Sequence, residues 1–291
     1  MIYQFIKEHQ HDYRVMKMCQ VLGVSSSGYY DWLKRDLSEQ KKARKKLTEA
    51  IKRGYNESKK RYGSVKITHH LRNEGYEVCV RTVQRIMTEE GLKSITAKRF
   101  KATTNSKHDK PTYPNLLEQN FNVSAPGKAW VTDITYIWTR EGWLYLASVM
   151  DLFSRKIIGF AMSERMTKDL VLLALERAKN TQPPKEGLIH HSDRGSQYAS
   201  IDYTDVLKEA KIEISMSGKG NCYDNACIES FHSVIKKELI FHCDYMTREE
   251  AKLSIFDYIV SFYNSWRIHS TIGYVTPNYY EKAFYQENIA V

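Results

Sequence analysis

The stretch WVTDITYIW, residues 130–138, decides how this chain is read. Its β-branched and aromatic residues give it the character of a strand. Asp133 stands in its middle, between Val131 and Ile134, where a lone carboxylate would be costly to desolvate. A bound cation would remove that cost. Two further acidic residues stand in comparable settings. Asp193 lies in LIHHSDRG just past a predicted strand, and Glu229 lies on a helix predicted to start near Asn225. Fifty-nine residues separate Asp133 from Asp193, and 35 separate Asp193 from Glu229. Carboxylates are hard oxygen ligands, and a cluster of them can hold divalent magnesium beside a phosphate.

Outward from Asp133 the pattern predicts an α/β sheet. Glu141-Gly142 marks a turn, Trp143–Val149 a second strand and Lys156–Met162 a third, which together form an antiparallel meander. Thr167 is placed to cap a helix over 168–180. A strand at 187–191, a helix at 201–210, a strand at 212–217, a loop at 218–224 and a helix at 225–240 follow. In that last helix Cys227, Phe231, Val234 and Ile235 suit a core, while Asn225, Ser233 and Lys236 form a polar stripe beside Glu229. Asp151 reads as a turn support that pairs with Arg155. Asp224 and Asn225 read as residues that shape the loop before the Glu229 helix. His190, His191 and Ser192 do not make a hydrolase triad, since no G-x-S-x-G elbow is present. Cys222 and Cys227 lack zinc-ligand spacing.

The front of the chain is different in kind. Residues 1–110 hold 25 Lys and Arg against 12 Asp and Glu, whereas residues 111–291 hold 19 against 22. The formal charge of +10 therefore belongs entirely to the front third, as expected of contact with a polyanion. The run MKMCQVLGVSSSGYYDWLKR, 16–35, reads as helix, glycine turn and helix, with Ser25 as cap. A long basic helix follows over 37–57. Residues 62–92 repeat the hairpin, with Ile67 and Leu71 before Gly75 and an apolar stripe of Val80, Val83, Ile86, Met87 and Leu92 after it. Arg81, Gln84 and Arg85 project from the other side of this second helix, where such side chains reach bases or phosphates. Val80 is an unusual residue for the start of that helix, where Ser, Thr, Asp or Asn would cap more naturally. The polar, basic stretch over 93–119 reads as a linker.

Five scattered cysteines argue against a disulfide framework and for a reducing, cytoplasmic setting. The N-terminal residues lack the apolar stretch of a signal peptide, and no apolar run is long enough to span a membrane.

Together, WVTDITYI, HSDRGSQY and NCYDNACIESFHSVIKKEL resemble the catalytic core of retroviral-type integrases. The chain most resembles the second-reading-frame (OrfB) transposases of bacterial insertion sequences of the IS-three family. DLFSRKIIGF at 151–160, YNSWRIHSTIGYVTP at 263–277 and RYGSVKITHHL at 61–71 extend that resemblance over most of the chain. It implies an all-α helix-turn-helix region over 1–92 and a basic linker over 93–119. It also implies an α/β ribonuclease-H-like core, a mixed sheet flanked by helices, over 120–240, and a helical extension packed on it over 241–291. It implies that Asp133, Asp193 and Glu229 are a metal-binding catalytic triad and that Lys236 lies near the DNA. Magnesium, two ions per site with manganese as a substitute, is the implied cofactor. The implied partners are double-stranded DNA (terminal inverted repeats and target), further copies of the chain and a first-reading-frame (OrfA) protein, and the implied setting is the bacterial nucleoid. Two other readings share these residues: a nuclease that cuts without joining, and a DNA-binding regulator without catalysis.

Overall fold

The computed structural model describes residues 1–34, 38–96, 112–218 and 221–289. It comprises two compact units, Met1–Arg53 and Gly54–Val291. In the first, α1 (Ile2–Glu8), α2 (Val15–Val21) and α3 (Ser26–Lys34) enclose a small core of Ile6, Met18, Cys19 and Tyr29. Gly23 turns α2 into α3 at φ +65°, and Ser25 Oγ accepts the Gly28 N–H at 3.3 Å, as a cap should. A long basic helix, α4 (Glu39–Glu57), spans the division between the units.

In the second unit, α5 (Ser64–Asn73) and α6 (Val80–Glu89) form the expected hairpin, with Gly75 at φ +88° between them. Ile67, Leu71, Val83, Ile86 and Met87 are buried. Cys79 holds the cap position, so Val80 is the first helical residue and the absence of a capping side chain at Val80 has no consequence. The division between the units falls at Arg53/Gly54, and buried polar contacts fasten the segment leading into α5 to the C-terminal part of the chain. One of these is the Ile268 N–H donating to Tyr62 Oη at 2.8 Å. Of the stretch read as linker, 97–111 lies outside the described residues. Its far end is docked: Leu117 is buried, Leu116 N–H donates to Ser215 Oγ at 2.9 Å, and Met216 N–H donates to the Pro114 carbonyl at 3.2 Å. Residues 112–117 thus cover an edge that would otherwise expose unpaired backbone.

The sheet comprises β1 (Ala129–Thr139), β2 (Gly142–Asp151) and β3 (Ile157–Ser163). After α7 (Lys168–Thr181) come β4 (Ile189–Ser192), α8 (Ile201–Glu209) and β5 (Glu213–Met216). The order is β3-β2-β1-β4-β5, antiparallel across the meander and parallel from β1 through β4 to β5. Thr167 occupies the cap position of α7 without a side-chain hydrogen bond. Trp130, Val149, Ala161, Leu170, Leu175, Tyr203 and Leu207 belong to the core that joins the sheet to α7 and α8. Gly159 allows α7 to approach β3, since a Cβ there would lie 2.3 Å from the Ala174 carbonyl oxygen.

After a 3-10 turn at Cys222–Asn225 come α9 (Ala226–Glu238), α10 (Arg248–Asp257), a π-helical turn at Tyr258–Tyr263 and α11 (Pro277–Ile289). On α9 the residues facing inward are Ile228, Phe231, His232, Ile235 and Glu238, whereas Cys227 and Val234 are only half-buried. Asp151 is a turn support, as expected, but its partners are Gly127 N–H and the N–H and hydroxyl of Ser154. Those donors fill its oxygens. Arg155, expected to pair with it, instead donates to Cys227 Sγ and the Phe121 carbonyl.

Candidate active site

Strand register brings two of the three acidic residues together. β1 and β4 run parallel, and the last matched pair is Thr132 with Ser192. Asp133, in the middle of β1, and Asp193, just past the carboxyl end of β4, are therefore the next residues where the pairing of these neighbours, about 4.8 Å apart, stops. Open α/β sheets build sites at such ends. Tyr198 lies beside both. Its hydroxyl is 3.2 Å from Thr132 Oγ1. Burial raises its pKa well above the ordinary phenol value, and the charges of Asp133 and Asp193 raise it further.

Glu229 joins them through its helix. Asn225 Nδ2 donates to the Thr132 carbonyl at 3.0 Å, which pins the start of α9 to the residue before Asp133. Glu229 then falls in the first turn of α9, where the helix dipole favours a negative charge. Burial raises its pKa, and the Asp133 charge raises it further. The preceding loop is shaped by Asp224, which accepts from Gly218 N–H, Asn221 Nδ2 and Gln119 Nε2.

The carboxylates share a neighbourhood without forming a closed coordination shell. Asp133 Oδ1 accepts the Ile134 N–H at 2.8 Å, and Asp133 Oδ2 lies 3.3 Å from His232 Nδ1. Asp193 Oδ1 accepts the Gly195 N–H at 2.8 Å, and a Cβ on Gly195 would crowd that oxygen at 2.9 Å. Among the described residues no group of three or more His, Cys, Asp or Glu is spaced to hold a metal ion. The donor set nevertheless fits a hard divalent cation in two respects. All three groups are carboxylates, and a cation between Asp133 and Glu229 would relieve their mutual repulsion. Asn225 Oδ1 is buried beside them without a hydrogen-bond partner, as an acceptor reserved for an ordered water would be.

Lys236 lies two turns beyond Glu229. Its ammonium is 4.6 Å from the centre of the Tyr136 ring. Burial lowers its pKa, opposed by Tyr136 and by the Asp133 carboxylate. Sequence reasoning misses His232, three residues after Glu229 and so on the same helical face. Its ring links Asp133 to Ser148 Oγ, 3.4 Å from Nε2. His190 and His191 are buried among hydroxyls: Tyr203 for His190, Ser215 and Ser217 for His191. Arg81, Gln84 and Arg85 lie on the exposed face of α6, apart from the carboxylate group, with Arg85 4.0 Å from Glu89.

Comparisons with known proteins show the family. The integrase core domain family matches residues 123–222 and again 210–277, and an HTH-like domain family matches 42–100. An insertion element IS600 31 kDa protein of Shigella sonnei is 43% identical over 269 residues, 92% of this chain and 99% of that protein. Transposase InsF for insertion sequence IS3A of Escherichia coli is 41% identical over 283 residues, 97% of this chain and 98% of that one. Among solved structures, a simian T-cell lymphotropic virus intasome chain is 15% identical with a TM-score of 0.47, covering 76% of this chain and 70% of its own. The HTLV-2 integrase catalytic core domain in complex with magnesium is 14% identical with a TM-score of 0.42, covering 54% and 97%. The identity to InsF over nearly the whole of both chains places this protein in the IS3-type insertion-sequence transposase family, enzymes built on an integrase core.

Proposed function

We propose that this chain cuts DNA at the ends of an insertion element and joins those ends to target DNA, using Asp133, Asp193 and Glu229 as one metal-binding site. The observation that carries the reading is the shared anchor at Thr132. Strand register sets Asp133 beside Asp193, and Asn225 ties the Glu229 helix to the same point. These three carboxylates would hold divalent cations, magnesium or manganese, most simply as a pair. When bound, such ions activate a water or a 3′ hydroxyl for attack on a phosphate and neutralise the leaving oxygen. The chain's own part is positioning. The backbone N–H groups of Ile134 and Gly195 hold oxygens of Asp133 and Asp193, and Lys236 would supply a positive charge for the DNA backbone. Arg81, Gln84 and Arg85 would hold DNA through α6, whose exposed cationic face belongs to the HTH-like match. Residues 54–96 would thus be the DNA-recognising part and 129–238 the catalytic part, with 241–289 supporting both.

Joining two element ends calls for more than one copy of the chain, and a first-reading-frame partner would supply further DNA binding. The test is a labelled duplex carrying an element end, incubated with the full chain and magnesium. Nicked and joined products are expected, and Asp193→Asn or Glu229→Gln should reduce both more than about 100-fold. Undiminished product from either variant would overturn the assignment. Nicked product alone would favour the nuclease reading.

A further inference from the structure

Beyond Thr132, β1 is paired only with β2 among the described residues, and it runs on from the carboxylates to Thr139. Three large aromatic side chains stand in solvent on this hairpin: Tyr136 at 45% exposure, Trp138 at 58% and Trp143 at 43%. Trp138 and Trp143 are direct cross-strand partners, edge to face with centroids 4.9 Å apart. Tyr136 contacts Trp143 in the same manner at 5.1 Å. Tyr136 and Trp138 alternate to the opposite face of β1 from Asp133, and Lys236 joins the two, its ammonium 4.6 Å from the Tyr136 ring and its charge interacting with Asp133.

A cross-strand tryptophan pair stabilises a hairpin modestly on its own. That accounts for Trp138 facing Trp143, but not for a third exposed ring that carries the site's lysine. Aromatic faces beside a cation are the chemistry that binds unpaired nucleobases: a base stacks on the ring and the cation holds its phosphate. Distance selects the same ligand. At about 3.3 Å per residue, Tyr136 and Trp138 lie roughly 10 and 17 Å along β1 from Asp133. At the duplex rise of about 3.4 Å per nucleotide that span is at most about five nucleotides from the reacting phosphate, and fewer for an extended unpaired strand.

We propose that Tyr136, Trp138 and Trp143, with Lys236, form a stacking platform for unpaired bases of the DNA strand that leaves the catalytic site. The proposal rests on the DNA-processing reading above and names which part of the substrate the hairpin takes. The platform would favour ends that fray, or that carry a short single-stranded flap, within about five nucleotides of the scissile phosphate.

The test compares binding of a blunt element-end duplex with that of the same duplex carrying a five-nucleotide single-stranded flap, using the full chain without metal. Trp138→Thr keeps a strand-forming residue while removing the ring, and Trp138→Phe keeps a stacking face. The expected result is about a tenfold loss of affinity for the flapped duplex in Trp138→Thr, with little change for the blunt one and most of the loss restored in Trp138→Phe. Equal affinities of the native chain for both duplexes would overturn the platform. So would an equal loss on both duplexes in Trp138→Thr, which marks a role confined to hairpin structure. A change in sedimentation mass on Trp138→Thr without DNA would also overturn it, assigning the face to a second copy of the chain. Because binding is read without metal, failure of the catalytic assignment is seen separately, in the product assay with Asp193→Asn.

Discussion

Arg267 grips both carboxylate oxygens of Glu238, with Nε at 3.0 and 3.2 Å and Nη2 at 2.9 Å. Both residues are buried, and each belongs to a different part of the unit: Glu238 ends α9 and Arg267 lies beyond the π-helical turn. Tyr258 donates to the same carboxylate at 2.8 Å, and Lys66 of α5 lies 3.8 Å away. Arg61 donates to the Glu238 carbonyl at 3.0 Å. The far end of the helix that carries Glu229 is thus fastened at once to the helical hairpin and to the C-terminal segment. Burial alone would raise the Glu238 pKa, but Arg267, Lys66 and Tyr258 together outweigh it and hold it below the ordinary value.

Breaking this pair from one side should therefore be costly. Glu238→Gln leaves Arg267 buried without its counter-charge, at a cost of about 3–5 kcal/mol. The expected fall in midpoint temperature is roughly 10 °C for a unit of this size. Thermal unfolding of Glu238→Gln, Arg267→Met and the double variant checks this. The double variant should lose much less than the two singles summed.

His232 should tune the site without touching substrate. In the neutral ring that donates Nδ1–H to Asp133 Oδ2, Nε2 accepts from the Ser148 hydroxyl, and the two contacts fix the ring between α9 and β2. His232→Phe keeps the volume and removes both contacts. Manganese affinity, measured by calorimetry, should weaken about 10- to 100-fold while the unfolding midpoint moves little. Unchanged metal affinity would show that Asp133 needs no such support.

The buried histidines set a lower pH limit for the fold. Burial, with its neighbour's charge, pushes His190 down to about 3, and burial pushes His191 down to about 4. Both pKa values lie below the unfolded value of about 6.5, so the unfolded chain binds more protons between these limits. Stability is then fully present above about pH 6.5 and lost as pH falls toward 4 and 3. Midpoint temperature plotted against pH should decline through that window, and His191→Gln should flatten the decline.

The exposed face of α6 should contribute salt-dependent binding. If Arg81 and Arg85 each neutralise one phosphate, Arg81→Ala with Arg85→Ala lowers the slope of log affinity against log salt by about 2. Gln84→Ala should leave that slope in place and relax sequence preference instead. Fluorescence anisotropy over a salt series on end and non-end duplexes separates the two.

Much of the fold is legible in the chain itself. The strands around Asp133, the meander, the helix bearing Glu229 and the cap at Ser25 all announce themselves through periodicity, β-branched composition and turn residues. The compact units divide at Arg53/Gly54, whereas the basic charge of the front third runs on well past that point. Lys66 and Tyr62 engage Glu238 and Ile268, some 170 or more residues ahead, and no local pattern records such contacts. His232 escapes a reading of the sequence for a related reason. Beside Glu229 it reads as another helical polar residue, and only the fold sets Ser148 across from Asp133 to receive its second nitrogen.

The sequence by itself determined which groups are the candidates for the chemistry, because residue type and order fix hard-ligand carboxylates, a basic front end and the elements that bear them. Tertiary structure alone decided that these groups share one neighbourhood. Parallel register aligns two aspartates from distant segments, and one asparagine-to-carbonyl hydrogen bond sets the third helix against them. Register and long-range hydrogen bonds are properties of packing between segments, and no single segment encodes them.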